Sequence, residues 1–185
     1  MTSRAGQLKS FFLAAVAVLA LTGPRPAVAA GGVLDADAQA ALNSLIASSS
    51  IAKELGDQAV GILIFPNISK LGFIIGAQGG DGVLLEKDKP ITYYTTGALS
   101  VGLQVGVQSY GYALFFMTPG DLAYLEKSEG WSVGVDPNII LVNAGAAKDV
   151  STLTGRKGVY AFIYDQRGLM VGVNLVGQKI RKIER

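Results

Sequence analysis

From Val60 onward the chain is written as short apolar runs, rich in β-branched and aromatic residues and broken by glycine at close intervals. The runs predict strands at Val60–Phe65, Gly72–Gly76, Gly82–Glu86, Ile91–Tyr94, Leu99–Gln108, Tyr112–Met117, Trp131–Val135, Ile139–Val142, Val159–Tyr164 and Leu169–Val176. Glu86-Lys87-Asp88-Lys89-Pro90 and Asp165-Gln166-Arg167-Gly168 have the chemistry of hairpin connections. Many short strands with few helices between them favour an antiparallel sandwich or barrel over a βαβ fold. Glycines inside the runs imply bulges, bends and a strongly curved sheet.

Helical periodicity is confined to two places. Leu34, Ala38, Ala41, Leu42, Leu45 and Ile46 share one face of a region running from Asp35 to about Asp57. Asp35 is placed to cap it, Gly56 to end it, and Ser48-Ser49-Ser50 to divide it into two shorter helices. Its apolar face suits either a membrane surface or the β core. A second helix is expected after Thr118, which caps it, with Pro119 in the first helical position and Gly130 beyond its end. The expected class is α+β: a curved, mainly antiparallel, sandwich- or barrel-like sheet with an N-terminal amphipathic helical region and one further helix.

Residues 1–29 read as a secretory signal. Arg4 and Lys9 give a basic start, Phe11 to Leu21 an apolar stretch too short to span a bilayer, and Ala27-Val28-Ala29 a cleavage site. Residues 30–185 are then a single exported domain, periplasmic or secreted. Cleavage removes Arg4, Lys9 and Arg25, so 16 basic residues become 13 against 14 acidic, and the net charge moves from +2 to −1. A global basic footprint for nucleic acid is therefore absent.

The composition also limits chemistry. With no cysteine and no histidine there is no disulfide, thiol nucleophile, Ser-His-Asp triad or ordinary zinc site. No cofactor or metal is expected. Gly76 to Gly82 leads into another apolar run and lacks a following Gly-Lys-Ser/Thr, so it reads as a tight turn and not a phosphate cradle. Asp81, Glu86 and Asp88 lack the alternating carboxylates of a calcium loop. Lys70 is a formal candidate for a lysine nucleophile, against the ordinary role of a stem lying along the surface. Carboxylate-only catalysis has no residue that singles it out. Trp131 reads as a core anchor, with a lipid-dipping role as the alternative. The tail from Lys179 to Arg185 reads as a solvated terminus, or as a contact for anionic headgroups.

Against these residues, the chain resembles the SYLF family, a lipid- and actin-binding domain also common in exported bacterial proteins. The likeness runs through Ala59 to Pro66, Lys70-Leu71-Gly72-Phe73, Gly79-Gly80-Asp81-Gly82, the Ser100–Ser109 segment, and the corner Gly130-Trp131 to Asp136. It covers roughly residues 35 to 180 and implies a non-enzymatic, lipid-associating β-rich domain. Its motif residues here, expected to be structural, are Pro66, Gly72, Gly79, Gly80, Gly82, Gly102, Gln104, Gly106, Gln108, Gly130, Trp131 and Asp136. Lys53, Lys70, Lys179, Arg181 and Lys182 are the side chains expected to meet lipid. Phosphoinositide binding in eukaryotic members rests on a basic N-terminal segment; between residues 30 and 58 this chain has only Lys53. The expected partner is thus a membrane lipid of unspecified headgroup, with no actin met outside the cell. The alternatives are an envelope protein-interaction module without lipid binding and an outer-membrane barrel. Against the barrel, Ile62–Phe65, Ala113–Phe116 and Tyr160–Ile163 are continuous apolar runs where a barrel requires alternation.

Overall fold

The computed structural model describes residues 27–72, 75–101, 106–128, 130–133, 139–142, 158–168, 175 and 177–184. Helices α1 (Ala27–Ser48) and α2 (Ser50–Gly56) come first, followed by β1 (Gly61–Gly72), β2 (Ile75–Glu86), β3 (Lys89–Val101) and β4 (Gly106–Phe116). After α3 (Pro119–Lys127) come β5 (Trp131–Ser132), β6 (Ile139–Val142), β7 (Val159–Gly168) and β8 (Lys179–Ile183). All eight strands lie in one sheet, ordered β5-β8-β3-β2-β1-β4-β7-β6. Every pairing is antiparallel except β6 with β7.

The sheet curls into a half-barrel. Trp131, on the β5 edge, meets Phe116 on β4 with ring centroids 5.9 Å apart, although four strands separate them in the sheet. Leu63, Phe65, Leu84, Tyr112, Leu114 and Ala161 point inward with Leu122 and Leu125 of α3. Ile62, Ile64, Val83, Phe115, Tyr160 and Phe162 point outward and are covered by Ala38, Leu42 and Leu45 of α1 and by Ile51 and Leu55 of α2. The continuous apolar runs follow from this arrangement, because a strand buried on both faces has no polar alternation. The apolar face of α1 covers the core.

The helices divide where the serines predict. Ser49 lies between α1 and α2, and its hydroxyl accepts from the Ala52 amide. Asp35 corrects the expected cap: α1 starts at Ala27, and the Asp35 carboxylate accepts from the Tyr93 hydroxyl at 3.2 Å instead. Thr118 caps α3 by accepting from the Asp121 amide. The β2–β3 hairpin turns at Lys87 (φ 48°) and Asp88 (φ 62°), the mirror-image turn that fits strand twist.

Three expected turns or termini are strand instead. Gly79 to Gly82 runs through the middle of β2, paired throughout with β3 and, at Gly79, also with β1. Asp165 to Gly168 continues β7 past a positive φ at Asp165. Lys179 to Ile183 forms β8 against β3, so this tail is part of the sheet. The expected strand Gly72–Gly76 is divided, with Gly72 ending β1 and Ile75 opening β2. Leu99–Gln108 is likewise shared between β3 and β4. Apart from Leu175, the expected strand Leu169–Val176 lies outside the described residues, as do residues 1–26.

Glycine in β2 has a steric cause. The β1–β2 register shifts between Ile64 and Ser69, and the chain at Pro66-Asn67 bulges toward β2. Proline fits there because a bulge asks for no ladder donor. A Cβ at Gly82 would lie 2.6 Å from the Phe65 ring and 2.7 Å from the Ile64 carbonyl oxygen, and one at Gly80 would collide with the Asn67 carbonyl.

Candidate functional site

The helices leave one end of the outer sheet face bare. Beyond the bulge, Ser69 and Leu71 face outward while Ile68 and Lys70 face inward, as alternation requires. Leu99 pairs with Ala77, Ala77 with Leu71, and Leu71 with Val107, forming a row on one face across β3, β2, β1 and β4. Ile75 lies on the same face, two residues from Ala77. Leu71, Ile75, Leu99 and Val107 are each more than half exposed, and Leu99 is 81% exposed. Four large apolar side chains side by side are unlike the scattered exposure of an ordinary surface.

Basic side chains border this row on β8. Lys179 pairs with Gly97 and Arg181 with Thr95, on the face that carries Leu99. Gly79 pairs with Gly97, so the floor between the cations and the apolar row bears no side chain. An open groove of about 710 Å³ results, lined by Ala77, Thr95, Gly97, Leu99, Lys179 and Arg181 among others.

The expected lipid-contact residues do not form one cluster. Lys179 and Arg181 share the groove. Lys182 pairs with Tyr94 and belongs to the opposite face, exposed past the end of the inner core. Lys53 stands on α2 and donates to Asp57 at 2.9 Å. Lys70 points into the half-barrel and is only 8% exposed, which corrects the surface-lying stem. The apolar row escaped the sequence, because its members come from four strands and only the register aligns them.

The motif residues frame these features. Pro66 is in the bulge, Gly80 and Gly82 lie opposite it, and Gly79 pairs with Gly97 of the groove. Gly72 pairs with Gly106, whose φ of 136° suits glycine alone. Gly130 precedes Trp131, which is buried against Phe116. Gln108 is buried inside the half-barrel. Gly102, Gln104 and Asp136 lie outside the described residues.

The interior is rich in tyrosine. Tyr94 and Tyr110 are each pushed up to about 12, chiefly by burial; the Glu126 carboxylate adds to the rise at Tyr94, and a hydrogen bond with Gln178 opposes it at Tyr110. Burial raises Tyr112 and Tyr164 further, and Tyr164 donates to the Phe65 carbonyl at the bulge. A neutral phenol is therefore favoured by the fold. The stabilisation is complete below the ordinary value of 10.0 and is lost as pH rises toward 12. In an alkaline titration, phenolate absorbance from these four of the seven tyrosines is expected to appear together with loss of circular dichroism. Ionisation of all seven near pH 10 with the fold intact would contradict it.

Among the described residues no group of three acidic side chains is placed to hold a metal, and no helix is long and apolar enough to cross a membrane. Residues 97–184 match the family model described as Ysc84, Las17-binding protein actin regulator. No curated protein matches the chain. The matched segment supplies the end of β3, then β4 to β8, which flank β1 and β2 on both sides. The strands at the centre of the sheet thus come from residues before the match.

Proposed function

We propose, from the premise that residues 97–184 are a SYLF segment of the Ysc84 family, that this chain is an exported, non-enzymatic domain that docks on lipid membranes. The observation that carries this reading is the bare sheet end, where Leu71, Ile75, Leu99 and Val107 lie beside Lys179 and Arg181. An apolar row entering the interfacial region, bordered by cations at headgroup level, is the chemistry of peripheral attachment. Export is supported by the basic start, the apolar stretch and Ala27-Val28-Ala29. Cleavage after Ala29 leaves Ala38, Leu42 and Leu45 in place over the core. The family description names actin regulation; an exported chain meets no actin, so that role is not carried over here, and membrane attachment rests on the SYLF resemblance and the bare sheet end. The lack of cysteine and histidine supports a binding role over a catalytic one.

Vesicle co-sedimentation tests the reading. Neutralising both Lys179 and Arg181 to glutamine is expected to weaken binding to phosphatidylglycerol vesicles about 30-fold, from about 1 kcal/mol per basic residue. Leu71→Ser with Leu99→Ser is expected to weaken binding to anionic and zwitterionic vesicles alike. A protein that ignores both vesicle types sinks the proposal. The rival reading, an envelope protein-interaction module, draws on edge strand β6, where Ile140 is partly exposed. Cross-linking to one envelope protein through β6, with no vesicle binding, would favour it.

A further inference from the structure

The half-barrel interior carries a directed chain of hydrogen bonds. Thr96 donates its hydroxyl to Gln178 Oε1 at 3.0 Å, and Gln178 Nε2 donates to the Tyr110 hydroxyl at 2.8 Å. Tyr110 in turn donates to Gln78 Oε1 at 3.2 Å. With its oxygen engaged, Gln78 presents its amide N–H groups as the free end of the chain. The next side chain on the same face is Lys70, which pairs in register with Gln78 on one side and with Gln108 on the other. Directly opposed residues of this kind have Cβ atoms about 5 Å apart.

This trio lacks a counterpart. Lys70 is 8% exposed and Gln108 2% exposed. Among the described residues no carboxylate pairs with Lys70. A largely buried lysine with no carboxylate partner, beside amide N–H donors, offers an anion one positive charge and neutral donors in a partly desolvated setting. One cation balances one negative charge. Lys70 also sits two residues before Gly72, near the end of β1.

We propose that Lys70, Gln78 and Gln108 form a site for one singly charged phosphate group, either free or as the phosphodiester of a lipid headgroup. Gln78 also borders the groove of Lys179 and Arg181, whereas Lys70 and Gln108 do not line it, so substitutions at Lys70 or Gln108 probe the site separately from that groove. Only the headgroup arm rests on the membrane reading.

The full chain is titrated calorimetrically with inorganic phosphate against chloride of equal ionic strength, and in parallel with phosphatidylglycerol and phosphatidylcholine vesicles. For a free-phosphate site, phosphate binds and Lys70→Met weakens it at least about tenfold, as expected for a lost charge-assisted bond. For a headgroup site, inorganic phosphate gives no heat, but Lys70→Met weakens phosphatidylglycerol binding about tenfold even when Lys179 and Arg181 are already neutralised. Lys70→Arg retains binding in either case. Should Lys70→Met fail to fold, Gln108→Leu decides, with a several-fold loss expected. Affinities for both probes that are unchanged by Lys70→Met, or by Gln108→Leu in its place, overturn the site.

Discussion

Trp131→Ala is expected to lower folding stability by about 3–5 kcal/mol, the range for emptying a large aromatic site. For a chain of this size that is a fall of roughly 10 °C in melting temperature. The residue stands on a strand only two residues long, and its ring reaches Phe116 across the mouth of the curl. Leu122 and Leu125 of α3 belong to the same cluster. The substitution therefore removes the contact that brings the β5 edge over β4, and the side of the sheet formed by β5 and β8 should loosen first. Circular dichroism gives the melting curve, since Trp131 is the only tryptophan. Hydrogen exchange is expected to accelerate at β8 before β1. Trp131→Phe should recover much of the loss. A variant that melts within about 2 °C of the parent would show that the curl does not depend on this contact.

The second large effect concerns the glycines facing the bulge. Gly82→Ala sets a methyl group 2.6 Å from the Phe65 ring and 2.7 Å from the Ile64 carbonyl oxygen. Gly80→Ala meets the Asn67 carbonyl, where backbone and not a flexible side chain must yield. Each is expected to cost about 1–3 kcal/mol by overpacking. The pair together should leave little folded protein. Gly32→Ala is the control: no atom lies within 4 Å of its added Cβ, and it is exposed on α1. It is expected to stabilise by about 0.5–1 kcal/mol through helix propensity. Denaturant titration of the three variants checks both signs; a Gly80→Ala protein as stable as Gly32→Ala would refute the steric account.

Local chemistry made much of the fold legible. Thr118 and Pro119 start α3, the three serines divide the N-terminal helices, and Lys87-Asp88 turn a hairpin, because each satisfies backbone groups within a few residues. The continuous runs in β1, β4 and β7 showed burial on two sides. What failed to read was set at a distance. Lys179 to Ile183 has the composition of a solvated tail, and it is a strand because β3 has an open side to fill. Gly79 to Gly82 has the composition of a turn, yet its glycines answer a bulge on the neighbouring strand. Asp35 resembles a cap, but Tyr93, 58 positions later, claims it. The candidate site divides in the same way. Its cations were visible as a local charge run, whereas the apolar row exists only once four strands are in register.

The position of β8 bears on the order of assembly. Its approach to β3 joins Thr96 to Gln178, 82 positions apart, and the bulge is tied by Tyr164 to Phe65 across 99. Contacts of such range close large loops before they return any stabilisation, which places folding in the slow regime of milliseconds to seconds. Until β8 arrives, the strand it will cover is a free edge with unpaired backbone groups, open to a neighbouring copy as readily as to its own partner. The hairpins of β1 to β4 can form early from local pairs, so the species most in need of protection is a four-stranded intermediate waiting for its flanks.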